Sequence, residues 1–182
     1  MRANRCHSVL VMDDLDRLLV AIDDYDLRYD QVFDETGARL RERGEAGLAD
    51  VCVLVAWKRA TQGAWMKDLL VTPDAEVRAR THDAFAATGD QERLDALAPL
   101  PGFGRKYALA TVVLCAHDPV NYGVLDRRAI EGLRRLGRPV AGGRGITLRY
   151  LDRVREIRDL ARVGRPGLTA RNIDQGLWVI GG

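Results

Sequence analysis

Lys106 and Asp126 stand 20 residues apart and are the two side chains whose chemistry the sequence sets off most clearly. A lysine amine attacks an electrophilic carbon and forms an imine, while a carboxylate stabilises positive charge developing beside it. Lysine is scarce in this chain: of 28 basic residues only Lys58, Lys67 and Lys106 are lysine. Arginine serves wherever a positive charge suffices, so a lysine at 106 is informative, because only an amine forms a Schiff base. The plainer alternatives are a solvated cation at 106 and, at 126, an aspartate that caps a helix by accepting backbone N–H bonds.

The elements around the pair predict how it is positioned. Residues 97–108 read L-A-P-L-P-G-F-G-R-K-Y-A. Leu94, Leu97 and Leu100 precede the turn and Ala108, Val112 and Cys115 follow it, giving an apolar face on each side. Pro101 ends the first helix, and Gly102 and Gly104 permit a tight turn. The spacing predicts a second helix from near Gly104, capped off close to His117. Its first amides have no intrahelical partner and, with the helix dipole, favour a phosphate beside Arg105. This is a helix–hairpin–helix pattern over about residues 90–117, and an ordinary αα-hairpin with a glycine turn is the competing reading.

The segment L-P-G-F-G-R-K-Y-A, the apolar helix 109–116 and then Y-G-V-L-D-R-R resemble the helix–hairpin–helix DNA glycosylase superfamily, which includes endonuclease III and 8-oxoguanine DNA glycosylase. The chain looks like a small divergent member, and the resemblance is carried by residues 94–136. It implies an enzyme that flips out and removes a damaged or modified base from duplex DNA, with abasic-site lyase activity through a lysine Schiff base. By resemblance, Asp126 stabilises charge at the sugar and Lys106 is the Schiff-base lysine. Pro101, Gly102, Phe103, Gly104, Arg105, Arg127 and Arg128 would grip DNA. Main-chain carbonyls of Ala98, Leu100 and Phe103 would hold a monovalent ion. The four-cysteine iron–sulfur loop of endonuclease III is absent, so no cluster is expected. The alternative is a non-catalytic DNA-binding module, and a third reading is an all-α protein–protein adaptor.

Further residues are weaker candidates. Trp57, Lys58 and Arg59 combine an aromatic ring with two cations and suit a base pocket or a wedge, with Tyr107 and Tyr122 flanking the hairpin. Trp65 and Trp178 share the same alternatives, stacking on a base or filling the core. His117 suits the C-terminal end of the second hairpin helix as a cation. His7, His82 and His117 show no metal-ligand spacing with the cysteines, so no zinc and no other cofactor is expected. Asp13, Asp14, Asp16, Asp23, Asp24 and Asp26 read as the solvated face of an amphipathic helix rather than a magnesium site.

Composition supports a nucleic-acid partner. Residues 1–100 carry 13 Lys/Arg against 19 Asp/Glu, and residues 101–182 carry 15 against 7, although the whole chain is only +2. A basic half beginning at the hairpin fits a polyanion. At 182 residues and 47% hydrophobic, the chain predicts one all-α domain over 1–182, with an acidic half at 1–89 and a basic half at 90–182. Three scattered cysteines suggest a reducing compartment, and no secretory or membrane-spanning pattern appears. The expected location is cytoplasmic, at the nucleoid when bound to DNA, with no membrane and no obligate protein partner. Predicted helices run over residues 9–25, 29–43, 48–61 (the apolar core helix), 73–87 after a Thr72 cap, and from an Asp90 cap to the hairpin. Others run over 127–136 after an Asp126 cap, from a Thr147 cap to 163, and from a Thr169 cap to 181.

Overall fold

The computed structural model describes residues 12–104 and 106–182. Ten α-helices and no strands occur among the described residues, so the chain is an all-helical bundle. Helices α1 (Met12–Asp23), α2 (Gln31–Arg43), α3 (Leu48–Trp57), α4 (Trp65–Leu70) and α5 (Asp74–Ala86) form the acidic half. Helices α6 (Asp90–Leu97), α7 (Ala108–His117), α8 (Arg127–Arg135), α9 (Ile146–Ala161) and α10 (Ala170–Gly181) follow. The residues expected to begin α1 at Val9, together with Cys6, His7 and Arg105, lie outside the described residues.

The central helix is α7 rather than α3. Every residue from Leu109 to Ala116 is buried, so a run that is apolar all round is covered all round. Helix α3, although equally apolar in sequence, buries one face through Val51, Leu54 and Val55 and ends at Trp57. Helix α2 packs on both α3 and α7, and α10 packs on α1, α8 and α9. The core runs from Leu18 to Ile180 and so draws on both charge halves. Close packing of α8 on α10 requires a glycine: a Cβ on Gly132 would stand 2.1 Å from the Leu177 carbonyl oxygen. Backbone therefore meets backbone where α8, and with it Asp126, is seated.

Several caps differ from expectation for local reasons. Gly89, not Asp90, precedes α6, and the Asp90 carboxylate instead accepts the Tyr122 hydroxyl at 2.6 Å and pairs with Arg155. Pro73 is the cap of α5, because the Thr72 hydroxyl is used by the Asp68 carbonyl at 2.9 Å. Gly145, in the left-handed region at φ 76°, begins α9, which leaves the Thr147 hydroxyl to donate to the Lys106 carbonyl at 2.7 Å. Asp126 and Thr169 do cap α8 and α10 as their types predict, accepting from the amides of Arg128 at 2.8 Å and Asn172 at 3.1 Å. No helix among the described residues is long and apolar enough to cross a membrane.

Candidate active site

The Asp126 carboxylate faces a lysine, and that lysine is Lys58. Its ammonium donates to one carboxylate oxygen of Asp126, while the Arg128 amide donates to the other. Both side chains are largely, but not fully, withdrawn from solvent, at 15% and 27% exposed. Burial pushes the Asp126 carboxyl up, but the hydrogen bond and charge of Lys58, with the Arg128 amide and charge, outweigh it and hold it below the usual aspartate range. Asp126 is therefore an ionised carboxylate at neutral pH, facing one ammonium group.

Lys58 reaches this place through the end of α3. The Arg59 amide donates to the Ala56 carbonyl at 2.9 Å and the Ala60 amide to the Val55 carbonyl at 3.1 Å. These two bonds form a Schellman closure, which calls for a left-handed residue at position 59. The residue there is arginine, at φ 55°, where glycine is the easy choice. Lys106 (φ 57°) and Tyr107 (φ 54°) are also left-handed. Strain of this kind persists only where the surrounding structure fixes the conformation. Arg59→Gly is accordingly expected to be more stable, by up to about 1 kcal/mol, than Arg59→Ala, which loses the same side chain but keeps a Cβ in the left-handed region. Melting curves of the two variants check this, and equal stabilities would show that the left-handed turn is not strained.

The hairpin residues are arranged differently from the helical geometry predicted for them. Helix α7 begins at Ala108, not near Gly104, because Lys106 and Tyr107 take left-handed backbone conformations that no helix contains. Lys106 is exposed and its carbonyl is tied to Thr147. Phe103, expected at the DNA surface, is fully buried, and its amide donates to the Leu100 carbonyl at 3.0 Å. With Leu100, which is also buried, it anchors the turn in the core. Gly102 (φ 86°) lies under Trp65, whose ring would be 2.4 Å from any added Cβ. The Ala98 carbonyl faces Gly104, with 3.2 Å to a notional Cβ. Pro101 is half-buried and Gly104 exposed, and Arg127 and Arg128 are exposed beside Asp126.

Other expected site residues serve as supports. Trp57 packs its ring on Phe33, with centroids 4.5 Å apart, and its Nε1 donates to the Tyr29 carbonyl at 3.0 Å. Tyr107 donates to Asp95 at 2.6 Å and so ties the turn back to α6. Tyr122 is buried, with Arg93 over its ring, which makes it a strut rather than a pocket wall. His117 stacks on Phe85 with centroids 3.8 Å apart, and burial lowers its pKa, so it closes α7 as a neutral ring and not as the expected cation. Asp13, Asp16, Asp23, Asp24 and Asp26 are exposed and Asp14 half-buried, as a solvated face requires. Among the described residues no three His, Cys, Asp or Glu side chains converge as a metal site.

Behind Lys58 and Asp126 lies a buried polar network that sequence reasoning missed. Asp174 accepts the Tyr150 hydroxyl and pairs with Arg171. Arg171 also donates to Asp30 at 2.6 Å, which further accepts from Gln175 at 2.6 Å and Tyr25 at 3.0 Å. The segment leading to Asp126 is held at three residues: Tyr122 by Asp90, the Val124 carbonyl by the Tyr150 hydroxyl at 3.2 Å, and the Leu125 amide by Thr111 at 2.9 Å. A faint signal was present in α10, where Asp174 and Gln175 interrupt an otherwise apolar face between Ile173 and Leu177. No protein-family model, curated protein or solved structure matches the chain.

Proposed function

We propose that the chain removes bases from DNA, with Asp126 as the charge-stabilising carboxylate and Lys58 as the amine that attacks the sugar. The observation that carries this reading is the contact of the Lys58 ammonium with the ionised Asp126 carboxylate at the N-terminus of α8, flanked by exposed Arg59, Arg127 and Arg128. The basic second half and the resemblance over residues 94–136 support DNA as the polymer.

The chemistry runs as a displacement. The bond between sugar C1′ and the base breaks, its electron pair leaves with the base, and the base takes a proton from Lys58 Nζ. Asp126 stabilises positive charge at the sugar ring during this step. The now neutral Nζ bonds to C1′. A second Nζ proton then passes to the ring oxygen as the ring opens, leaving a protonated imine between C1′ and Lys58. Lys58 thus acts first as acid and then as nucleophile, and its contact with Asp126 keeps it in place for both.

Borohydride, which reduces such an imine to a stable amine, tests the assignment on duplexes carrying abasic sites or common base lesions. A covalent adduct is expected with the native chain and with Lys106→Ala, and not with Lys58→Ala. Loss of the adduct in Lys106→Ala alone would return the chemistry to the hairpin lysine. No adduct and no base release on any duplex, with salt-sensitive binding retained, would leave a non-catalytic DNA-binding module.

A further inference from the structure

Two arginine–aromatic pairs flank Lys58 and Asp126, and neither is needed to explain the core. On one side Arg59, the neighbour of Lys58, lies over the Tyr29 ring at 5.4 Å and donates to its hydroxyl at 2.9 Å. On the other Arg128, whose amide caps onto Asp126, lies over the Trp178 ring at 4.4 Å. Tyr29 is 59% exposed and Trp178 is 40% exposed, values that set them apart from the buried aromatics Phe33, Phe103, Tyr122 and Tyr150. Each pair is also anchored from below. The Tyr29 carbonyl accepts the Trp57 indole N–H at 3.0 Å, and the edge of Tyr25 meets the Trp178 ring with centroids 6.1 Å apart.

An exposed ring beside a guanidinium has a defined use. The pair offers a π surface to a planar heterocycle and a positive charge to the phosphate attached to it. A base within a closed duplex has both faces already stacked and cannot use such a surface. An unpaired base can. We infer that Tyr29–Arg59 and Trp178–Arg128 are stacking platforms for unpaired nucleobases on either side of Lys58 and Asp126, so that the chain takes single-stranded or locally opened DNA in preference to closed duplex. The charge is complementary: Lys58, Arg59, Arg127 and Arg128 are carried by the two segments that meet at the contact of Lys58 with Asp126. The inference rests on the reading of this face as a DNA site, and it adds the strand state of the DNA and the residues that select it.

The test is a titration of a fluorescently labelled thymidine oligonucleotide, as a single strand and paired with its complement, followed by anisotropy at fixed salt. The native chain is expected to bind the single strand at least tenfold more tightly than the duplex. Tyr29→Ala and Trp178→Ala are each expected to weaken single-strand binding about tenfold, with Trp178→Phe restoring most of it, and duplex binding is expected to change little. Quenching of intrinsic tryptophan fluorescence by the native chain's single-strand ligand, lost in Trp178→Phe, gives a second readout that does not depend on the alanine variants folding. Equal affinity for the two DNA forms, or single-strand affinity unaltered in both alanine variants, would overturn the platforms. If base release or the borohydride adduct survives that outcome, the enzymatic reading stands without them. If instead single-strand binding depends on both rings and no duplex or strand yields base release, the platforms stand and the enzymatic reading falls.

Discussion

Asp126→Asn is expected to reduce base release about 10²–10³-fold while leaving α8 in place. The two halves of that expectation come from the two oxygens of the side chain. One accepts the Arg128 amide at 2.8 Å as the cap of α8. Asparagine is as good a cap as aspartate, so the helix start survives. The other oxygen faces the Lys58 ammonium, and its charge is what the substitution removes. Without that charge the site loses the carboxylate that offsets the cation developing at the sugar, and Lys58 loses the partner that holds it there. The pH profile separates this from a structural effect. The folded-state pKa of Asp126 is depressed below the ordinary value of about 3.9. A depressed carboxylate contributes stability that is present above its unfolded pKa and lost as pH falls through its folded pKa. The carboxylate thus stays charged through pH 5, and native base release is expected to show no acid limb due to Asp126 between pH 5 and 7. An acid limb in that window that disappears in Asp126→Asn would mean the group titrates near neutrality and acts as a general acid, against the role assigned to it.

How far the sequence discloses this site depends on the range of the interactions. Asp126 is legible because its role as a cap is local: an aspartate before Arg127–Leu136, after a glycine-containing loop, predicts the start of a helix within one residue. The turn at Pro101–Gly104 is legible for the same reason, and so is the all-helical class, which needs only periodicity. The lysine partner was not. Lys58 and Asp126 are 68 residues apart, and a lone lysine after an apolar helix carries no mark of what it faces. The scarcity of lysine singles out Lys106 as the amine, while Lys58 reads only as a cation beside Trp57. That Lys58 is the lysine facing Asp126 depends on how Arg59 closes α3 and on the two left-handed residues that delay α7 to Ala108. Non-glycine residues at positive φ are not readable from residue type, because their types disfavour the conformation they adopt. The central place of α7 over α3 was hidden likewise, since both are apolar and only packing decides which is covered on every side.

Arg171→Met is expected to destabilise the fold by about 3–5 kcal/mol, a fall in melting temperature of roughly 10 °C for a chain of this size. Arg171 is the one cation placed directly between Asp30 and Asp174, which are 1% and 2% exposed. Its guanidinium also lies over the rings of Tyr25, Phe33 and Trp57, at 5.8, 5.2 and 5.1 Å. Methionine can fill part of the space among those rings, but it leaves two carboxylates in the core without their shared countercharge. Burial already raises the Asp174 carboxyl, with Arg171 and then Tyr150 opposing it. With Arg171 gone the carboxyl rises further. An acid whose folded pKa exceeds its unfolded one favours folding most when protonated, and the penalty grows as pH climbs from the unfolded value through the folded one. The stability lost in Arg171→Met is therefore expected to be smaller at pH 5 than at pH 7, which thermal melts at the two values would show. Equal losses at both would place the effect in the lost ring contacts and not in the stranded carboxylates. Because the Tyr150 hydroxyl that donates to Asp174 also reaches the Val124 carbonyl, two residues before Asp126, the loss is also expected to reach the site. Adding Asp30→Asn and Asp174→Asn to Arg171→Met removes the stranded charges and should recover much of the melting temperature. Base release is expected to recover with it, since an asparagine at 174 still accepts the Tyr150 hydroxyl that reaches the Val124 carbonyl; a restored melting temperature without restored base release would mean that the charge of Asp174 is needed at the site.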